Sequence, residues 1–313
     1  MAQNASDISV VIPTYERGTL VVDTIELLLN QSERAGAIIV VDQTQYVASD
    51  PVASTLAKLH DAGDIEWVKL NKPSIPAAMN VGLMQATTPW VLFLDDDILI
   101  SDLFISEHAK ALTIHDCPAH VGGIHQPNEQ FVARADNYHS GDGLLVDLEF
   151  PFNSDTPAQI NNCMAGNLMV SRQQALDCGG FDENFVGAAY RFETEFCQRL
   201  VDHSGKPFYF APRAKIDHLK AARGGTRKMA NFLTSIKPDH SVGDYYFALL
   251  RGRKGQAIVY CLRRYFSAIY ARFYLTNPWY IPSRIIAETR GILLAIKLRT
   301  GFPKHVNWQA RDR

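Results

Sequence analysis

Only five of the 313 residues are cysteines, at 117, 163, 178, 197 and 261, an odd number with no CxxC pair. Disulfide frameworks and structural zinc sites use even sets or close pairs. This pattern therefore predicts reduced thiols in a cytosolic protein and argues against zinc. No stretch of about 18 uncharged apolar residues occurs, so no membrane-spanning helix is expected. The opening MAQNASDISVV lacks the basic patch and long apolar run of a secretory leader. Also missing are GxGxxG after the first apolar run, GxxxxGKS/T and HExxH. The first absence counts against a dinucleotide fold and the second against a glycine phosphate cradle. A bound nucleotide would need its phosphates neutralised by other means.

The bulk composition is that of a globular chain, 47% apolar and 20% charged, which excludes disordered, collagenous and low-complexity classes. The length suits about two domains, or one large domain with an appendage. A net charge of −2 conceals two opposite halves. Residues 219–313 carry 18 Lys and Arg against four acids, while 1–218 carry 13 against 29. A boundary near 220–240 follows, drawn as a first domain over 1–228 and a basic extension over 229–313. The basic tail points to phosphate, nucleic-acid or membrane-surface partners.

Along the chain, ISVVI (8–12), AIIVVD (37–42), IEWVKL (65–70) and WVLFLD (90–95) alternate with helix-like segments at about 19–30 and 76–86. A polar stretch fills 43–64. Most of the apolar runs are continuous rather than alternating, as in a parallel sheet buried on both faces. Such sheets bind ligands at the carboxyl ends of their strands. The residues expected there are Pro13, Thr14, Tyr15 and Arg17 after the first strand, Asp42 after the second, and Asp95, Asp96 and Asp97 after the fourth.

Three consecutive aspartates in a poorly solvated cleft repel one another unless charge compensates them. A hard divalent cation, Mg2+ or Mn2+, would do so. The triplet reads equally as a solvated strand-to-helix turn, with Ser101 capping a helix from Asp102 to about Ala111. A second acidic group lies in FDENFVGAAYRFETEFCQRL (181–200). On a helix Glu193 and Glu195 lie about 200° apart and cannot face one pocket. Glu195 has Arg199 four residues on, in the order of an exposed ion pair, so chemistry falls to Glu193. A third element is KIDHLKAARGGTRK (215–228). A lone histidine is more often structural, but His218 is followed by a glycine-bearing loop with Lys220, Arg223 and Arg227, able to fold over a diphosphate.

VVIPTYERG, VVDQTQ, NKPSIPAAMNVGLMQA, WVLFLDDDI, GGFDENF…ETEFCQRL and HLKAARGGTR, in this order over roughly 8–228, resemble the inverting glycosyltransferases of family 2. The resemblance implies an α/β fold of GT-A type, with a Rossmann-like, mostly parallel sheet flanked by helices, to which this chain adds a helical basic extension. It implies a nucleotide-sugar donor, a UDP-sugar ahead of dTDP- or GDP-sugars, and a divalent metal, Mg2+ or Mn2+. In the family pattern Asp42 contacts the base and Asn80 falls in the donor-binding helix. The Asp-x-Asp element maps to Asp95 and Asp97, with Asp97 nearest the metal, His218 beside the metal or diphosphate, and Glu193 as general base. The chain departs from the pattern at Gln43 and Met79, where an acid and an arginine are usual, and at Glu193, where aspartate is usual.

The implied reaction is a single displacement, in which Glu193 takes the acceptor hydroxyl proton while cationic groups stabilise the leaving diphosphate. The implied acceptor is a glycan or lipid-linked molecule of cell-surface polysaccharide synthesis. A catalytically worn nucleotide-binding scaffold and a nucleotidylyltransferase are the competing classes. For the tail, aromatics from Tyr260 to Tyr280 interleaved with Arg263, Arg264, Arg272 and Arg284 suit an anionic membrane surface, reached from the cytoplasmic face. Internal packing and a dimer interface are the alternatives, and no nucleic-acid module is visible.

Overall fold

The computed structural model describes residues 4–130, 132, 141, 143–221, 224–225 and 232–306. The first four expected strands form as read: β1 (Ile8–Thr14), β2 (Ala37–Asp42), β3 (Glu66–Lys69) and β4 (Trp90–Leu94). They pair in parallel in the order β3-β2-β1-β4, and β1 and β4 are buried on both faces, which is why their sequences run apolar without alternation. The crossovers include α1 (Leu20–Leu29), α2 (Pro51–Asp61) and α3 (Ile75–Gln85). Helix α2 occupies the segment read as a polar stretch. Its start is fixed by Asp50, whose carboxylate accepts from the Val52 and Ala53 amides, with Pro51 at the first helical position.

After β4 the chain makes a two-residue strand, β5 (Ile98–Leu99), before α4 (Phe104–Ile114). The turn expected from Asp97 directly into a helix capped by Ser101 is therefore not formed; α4 begins later, its N-cap residue Leu103 makes no capping bond, and the Ile105 amide of its first turn donates to Gln31 Oε1 at 3.1 Å. The sheet continues through β6 (Ala119–His125), β7 (Ala158–Ile160), β8 (Asn167–Ser171) and β9 (Phe208–His218), with β8 antiparallel between β4 and β6. Helices α5 (Arg172–Asp177) and α6 (Phe192–Ser204) lie between β8 and β9. The result is the expected α/β architecture, parallel in its N-terminal half and mixed beyond.

The basic extension is helical, as expected: α7 (Val242–Arg251), α8 (Lys254–Ile269), α9 (Arg272–Thr276) and α10 (Ile281–Thr300). Helix α7 is not a separate body's core. Val242, Tyr245, Tyr246 and Phe247 are buried in the same apolar cluster as the sheet, and the Tyr246 hydroxyl donates to Asp182 at 2.8 Å. The chain end returns to the first domain, where the Val306 amide donates to Gly179 O and that of Lys304 to Asp182. No helix among the described residues is long and apolar enough to cross a membrane.

Candidate active site

The carboxyl ends of β1 and β4 open on a cavity of about 490 Å³. From β1 and the turn after it come Pro13, Thr14, Tyr15 and Arg17, and from the end of β4 come Asp95, Asp96 and Asp97. Glu193 enters from the head of α6, and His218 and Lys220 from the end of β9. The wall is completed by Gln43, Ile75, Met79, Phe93 and Gln126, and by Met164, Ala165 and Gly166.

Sheet register explains how residues 121 positions apart meet. Strand β5 turns back against β9 with Ile98 opposite His218, and the Leu219 amide donates to Asp97 O at 2.8 Å. His218 Nε2 thereby sits 3.2 Å from Asp97 Oδ1 and 3.6 Å from Asp95 Oδ2. The other oxygen of Asp97 accepts the Ala221 amide at 2.7 Å. Arg17 reaches across the triplet, with Nε 3.0 Å from Asp96 and Nη2 3.5 Å from Asp97. The glycines after His218 pack on that arginine's loop. The Gly225 amide donates to Tyr15 O at 2.7 Å, and both Gly224 and Gly225 have positive φ.

This compensation separates the neighbouring carboxylates. Burial pushes Asp96 up to about 7, although Arg17 pulls the other way. Burial also works to raise Asp97, but His218, the Ala221 amide and Arg17 together hold it below the ordinary carboxylate range. His218 is raised by its hydrogen bond to Asp97, against the effect of burial. The triplet is thus one partly neutralised acid beside a strongly held anion.

Among the described residues no three His, Cys, Asp or Glu side chains form a ready-made cation site. The donor chemistry nevertheless fits Mg2+ or Mn2+. Carboxylate oxygens of Asp97 and Asp95 lie 3.2 and 3.6 Å from His218 Nε2, and 47% of the Asp95 side chain is exposed.

Glu193 and Glu195 separate as helix geometry requires. Glu193 is half-buried and lines the cavity, as well as a second one beside it. Glu195 is buried, not exposed as its spacing to Arg199 suggested, and binds Arg199 through both oxygens at 2.7 and 2.8 Å. Arg199 also donates to the carbonyls of Cys178 and Gly180, fixing α6 to the turn before Phe181.

Two expected donor residues do not reach the cavity wall. Asp42 is buried and accepts the Thr44 amide at 2.9 Å and the Trp67 indole N–H at 3.0 Å, leaving Gln43 to face the cavity. Asn80 is buried on α3, where its side chain donates to Phe181 O and accepts from Phe181 N, both at 2.8 Å. It is a clamp between α3 and the 180–185 turn, and its neighbour Met79 lines the cavity. Arg223 and Arg227 lie outside the described residues. Tyr190, Gln126 and Gly166 were not singled out from sequence. A Cβ on Gly166 would stand 2.1 Å from Asp95 Oδ2, a close approach that no local pattern announces.

The profile of Glycosyl transferase family 2 matches residues 9–180, which includes the β1 turn and the aspartate triplet but ends before Glu193 and His218. No curated protein matches the sequence. Among solved structures, S. aureus TarS 1-349 in complex with UDP-GlcNAc is 17% identical, with TM-score 0.57, over 82% of this chain and 66% of its own. Mannosyltransferase PcManGT from Pyrobaculum calidifontis, in complex with GDP-Man and Mn2+, is 18% identical, with TM-score 0.53, over 96% of this chain and 81% of its own. GalNAc-T7 with UDP, GalNAc and Mn2+ is 14% identical, with TM-score 0.56, over 79% of this chain and 50% of its own. At these identities the likeness is one of fold.

Proposed function

Because the chain belongs to glycosyl transferase family 2, we propose that it is a metal-dependent, inverting enzyme that moves a sugar from a UDP-sugar to a hydroxyl of a glycan or lipid-linked acceptor in cell-surface polysaccharide synthesis. Donors carrying dTDP or GDP are the alternatives. The observation that carries the reading is the single cavity into which four distant segments deliver Tyr15 and Arg17, the Asp95–Asp97 triplet, Glu193, and His218 with Lys220. Uridine nucleotides in two of the three relatives support the choice of base.

Asp95, Asp97 and His218 are the residues that would hold Mg2+ or Mn2+, whose chemistry there is to neutralise the leaving diphosphate. Arg17 and Lys220 supply fixed positive charge at the same end, and Arg223 and Arg227 follow Lys220 in the sequence. Pro13, Thr14, Tyr15 and Gln43 form the wall for the nucleoside, while Ile75, Met79 and Phe93 exclude water from it. Glu193 sits in the first turn of α6, where the unpaired amides of a helix N-terminus favour negative charge. It takes the proton from the acceptor hydroxyl as that oxygen attacks opposite the diphosphate, and one displacement inverts the anomeric centre. The test is nucleotide release from a panel of UDP-, dTDP- and GDP-sugars with Mg2+ or Mn2+. Release from one class supports the reading, and release from none refutes it.

An anionic membrane surface is the partner we propose for the extension, with the enzyme at the cytoplasmic face. The support is the exposed face of its helices. Ile258, Leu262 and Phe266 along α8 and Tyr270 at its C-cap recur every four residues, and Ile286, Leu293 and Ile296 follow one side of α10. The exposed charges beside them are Arg263, Arg272, Arg290 and Lys297. Residues 242–306 contain two acids, Asp244 and Glu288, and both are drawn inward by arginines. Apolar side chains among cations, with no exposed anion on α7 to α10, suit an anionic headgroup layer.

A further inference from the structure

The turn that delivers Glu193 is held in an unusual shape. Gly187, Ala189 and Arg191 have φ of 68°, 52° and 70°, so the backbone is left-handed at every second residue before α6. A Cβ makes that region costly, and such residues persist where their surroundings enforce them. Arg191 is also the N-cap of α6, and its side chain makes no capping bond. The first turn, which carries Glu193, therefore depends on what holds the backbone around it. We propose that Arg191 and Asp244 are positioning residues, a clamp from the helical extension that aims Glu193 for proton abstraction. The inference rests on the transferase reading above.

The contacts that enforce the shape come from one short stretch of the extension. The Ala188 amide donates to Asp239 O at 2.9 Å. Gly243, in the first turn of α7, packs on Tyr190 O so closely that no Cβ would fit between them. One residue on, Asp244 Oδ1 accepts from Arg191 Nε at 3.0 Å. Both neighbours of Ala189, and Arg191 itself, are thus tied to residues 239–244.

Asp244 is itself fixed from two further helices. Its Oδ2 accepts from Arg264 Nε of α8 at 2.9 Å, and Arg264 reaches Glu288 of α10 at 3.1 Å and His240 O at 3.0 Å. Arg284 closes on the same buried Glu288 at 2.7 Å. A carboxylate held at both oxygens by charged donors keeps one orientation. Neither Arg191 nor Asp244 lines the cavity that holds the aspartate triplet. Loss of the clamp should therefore reach the reaction through Glu193 and spare the nucleotide. Both residues lie beyond 180, where the family match ends, so the clamp belongs to the part of the chain outside that match.

The test compares Arg191→Ala with Arg191→Gly in the full-length chain, on the donor that the nucleotide-sugar panel identifies. Both variants remove the guanidinium, and only glycine takes a φ of 70° without strain. Per folded molecule, Arg191→Ala should lower kcat for nucleotide release tenfold or more, with the donor KM within twofold of wild type. Arg191→Gly should run at least threefold faster than Arg191→Ala, a recovery that a guanidinium acting directly on substrate would not allow. Asp244→Asn, alone and combined with Arg191→Gly, should repeat that order and covers the case in which Arg191→Ala misfolds. Hydrogen exchange read by mass spectrometry needs no turnover. Peptides over 187–196 should exchange at least tenfold faster in Arg191→Ala, with those of β1 and β4 within twofold. Equal turnover in the alanine and glycine variants, a loss that falls on KM, or unchanged exchange over 187–196 overturns the proposal. A wild-type chain that released nucleotide from no donor would refute the transferase reading, and the exchange arm would still decide whether the clamp holds the turn.

Discussion

Glu193 and Glu195 stand two positions apart on α6 and about 200° around it. One lines two cavities, and the other is closed into a bidentate pair with Arg199. Glu193→Gln should keep nucleotide affinity, by calorimetry, and lose turnover by 100-fold or more, the scale of a missing general base. Glu195→Gln should retain the reaction but lower stability by about 3 kcal/mol in urea titration, because it strands a buried guanidinium. The reverse result would reassign the base. Gly166 is the residue-scale control on the metal end. A methyl group there meets the Asp95 carboxylate. Gly166→Ala should therefore raise the Mn2+ concentration needed for half-maximal activity, with little change in melting temperature; an unchanged metal requirement would remove Asp95 from the cation set.

Helices α8 and α10 each carry two chemistries on opposite sides. Arg264 and Arg284 turn inward to Asp244 and Glu288, and between the two helices Tyr274 of α9 is buried with its hydroxyl donating to Leu233 O. Phe266, Tyr270 and Trp279 are 51, 66 and 66% exposed. Replacing Leu262 and Phe266 together with Glu should abolish co-sedimentation with anionic vesicles at low salt and leave donor hydrolysis unchanged; retained vesicle binding would make that face an interface of another kind. Arg284 has Glu288 four residues on, but the sequence did not show that Arg264 turns inward, because the acids that select it lie 20 and 24 residues away in the chain. Strands β1, β2 and β4 were legible because burial on both faces leaves continuous apolar runs. Helix α2 was not, since its composition is mixed and only Asp50-Pro51 marks it. Strand β5 escaped for a different reason: two residues become a strand only through pairing with β9 over 100 positions away. Asp42 and Asn80 sit in the expected motifs, yet Trp67 and Phe181 claim their polar atoms.

At the scale of the whole molecule, the basic extension meets the acidic first half through Arg251 with Asp202, while the Arg191–Asp244 pair joins them with the charges the other way round. The same core holds two buried histidines whose titration makes its stability depend on pH. Burial lowers His108 to about 4 and His120 to about 3, both below the ordinary value of 6.5. Between about pH 6.5 and 4 the unfolded chain binds protons that the folded chain refuses, so stability falls as pH drops, by on the order of 1 kcal/mol per pH unit for each histidine. Urea midpoints should decline through that window, and His120→Gln should flatten the decline; a pH-independent midpoint would contradict it. The central claim is that this cavity transfers a sugar with a divalent cation held at Asp97. It is tested most directly by nucleotide release from UDP-sugars by chelator-treated protein, with and without added Mn2+, beside Asp97→Ala. The account predicts release that is lost on chelation, restored by Mn2+ in the wild type and not restored in Asp97→Ala. Undiminished release after chelation, or full activity in Asp97→Ala, would contradict it.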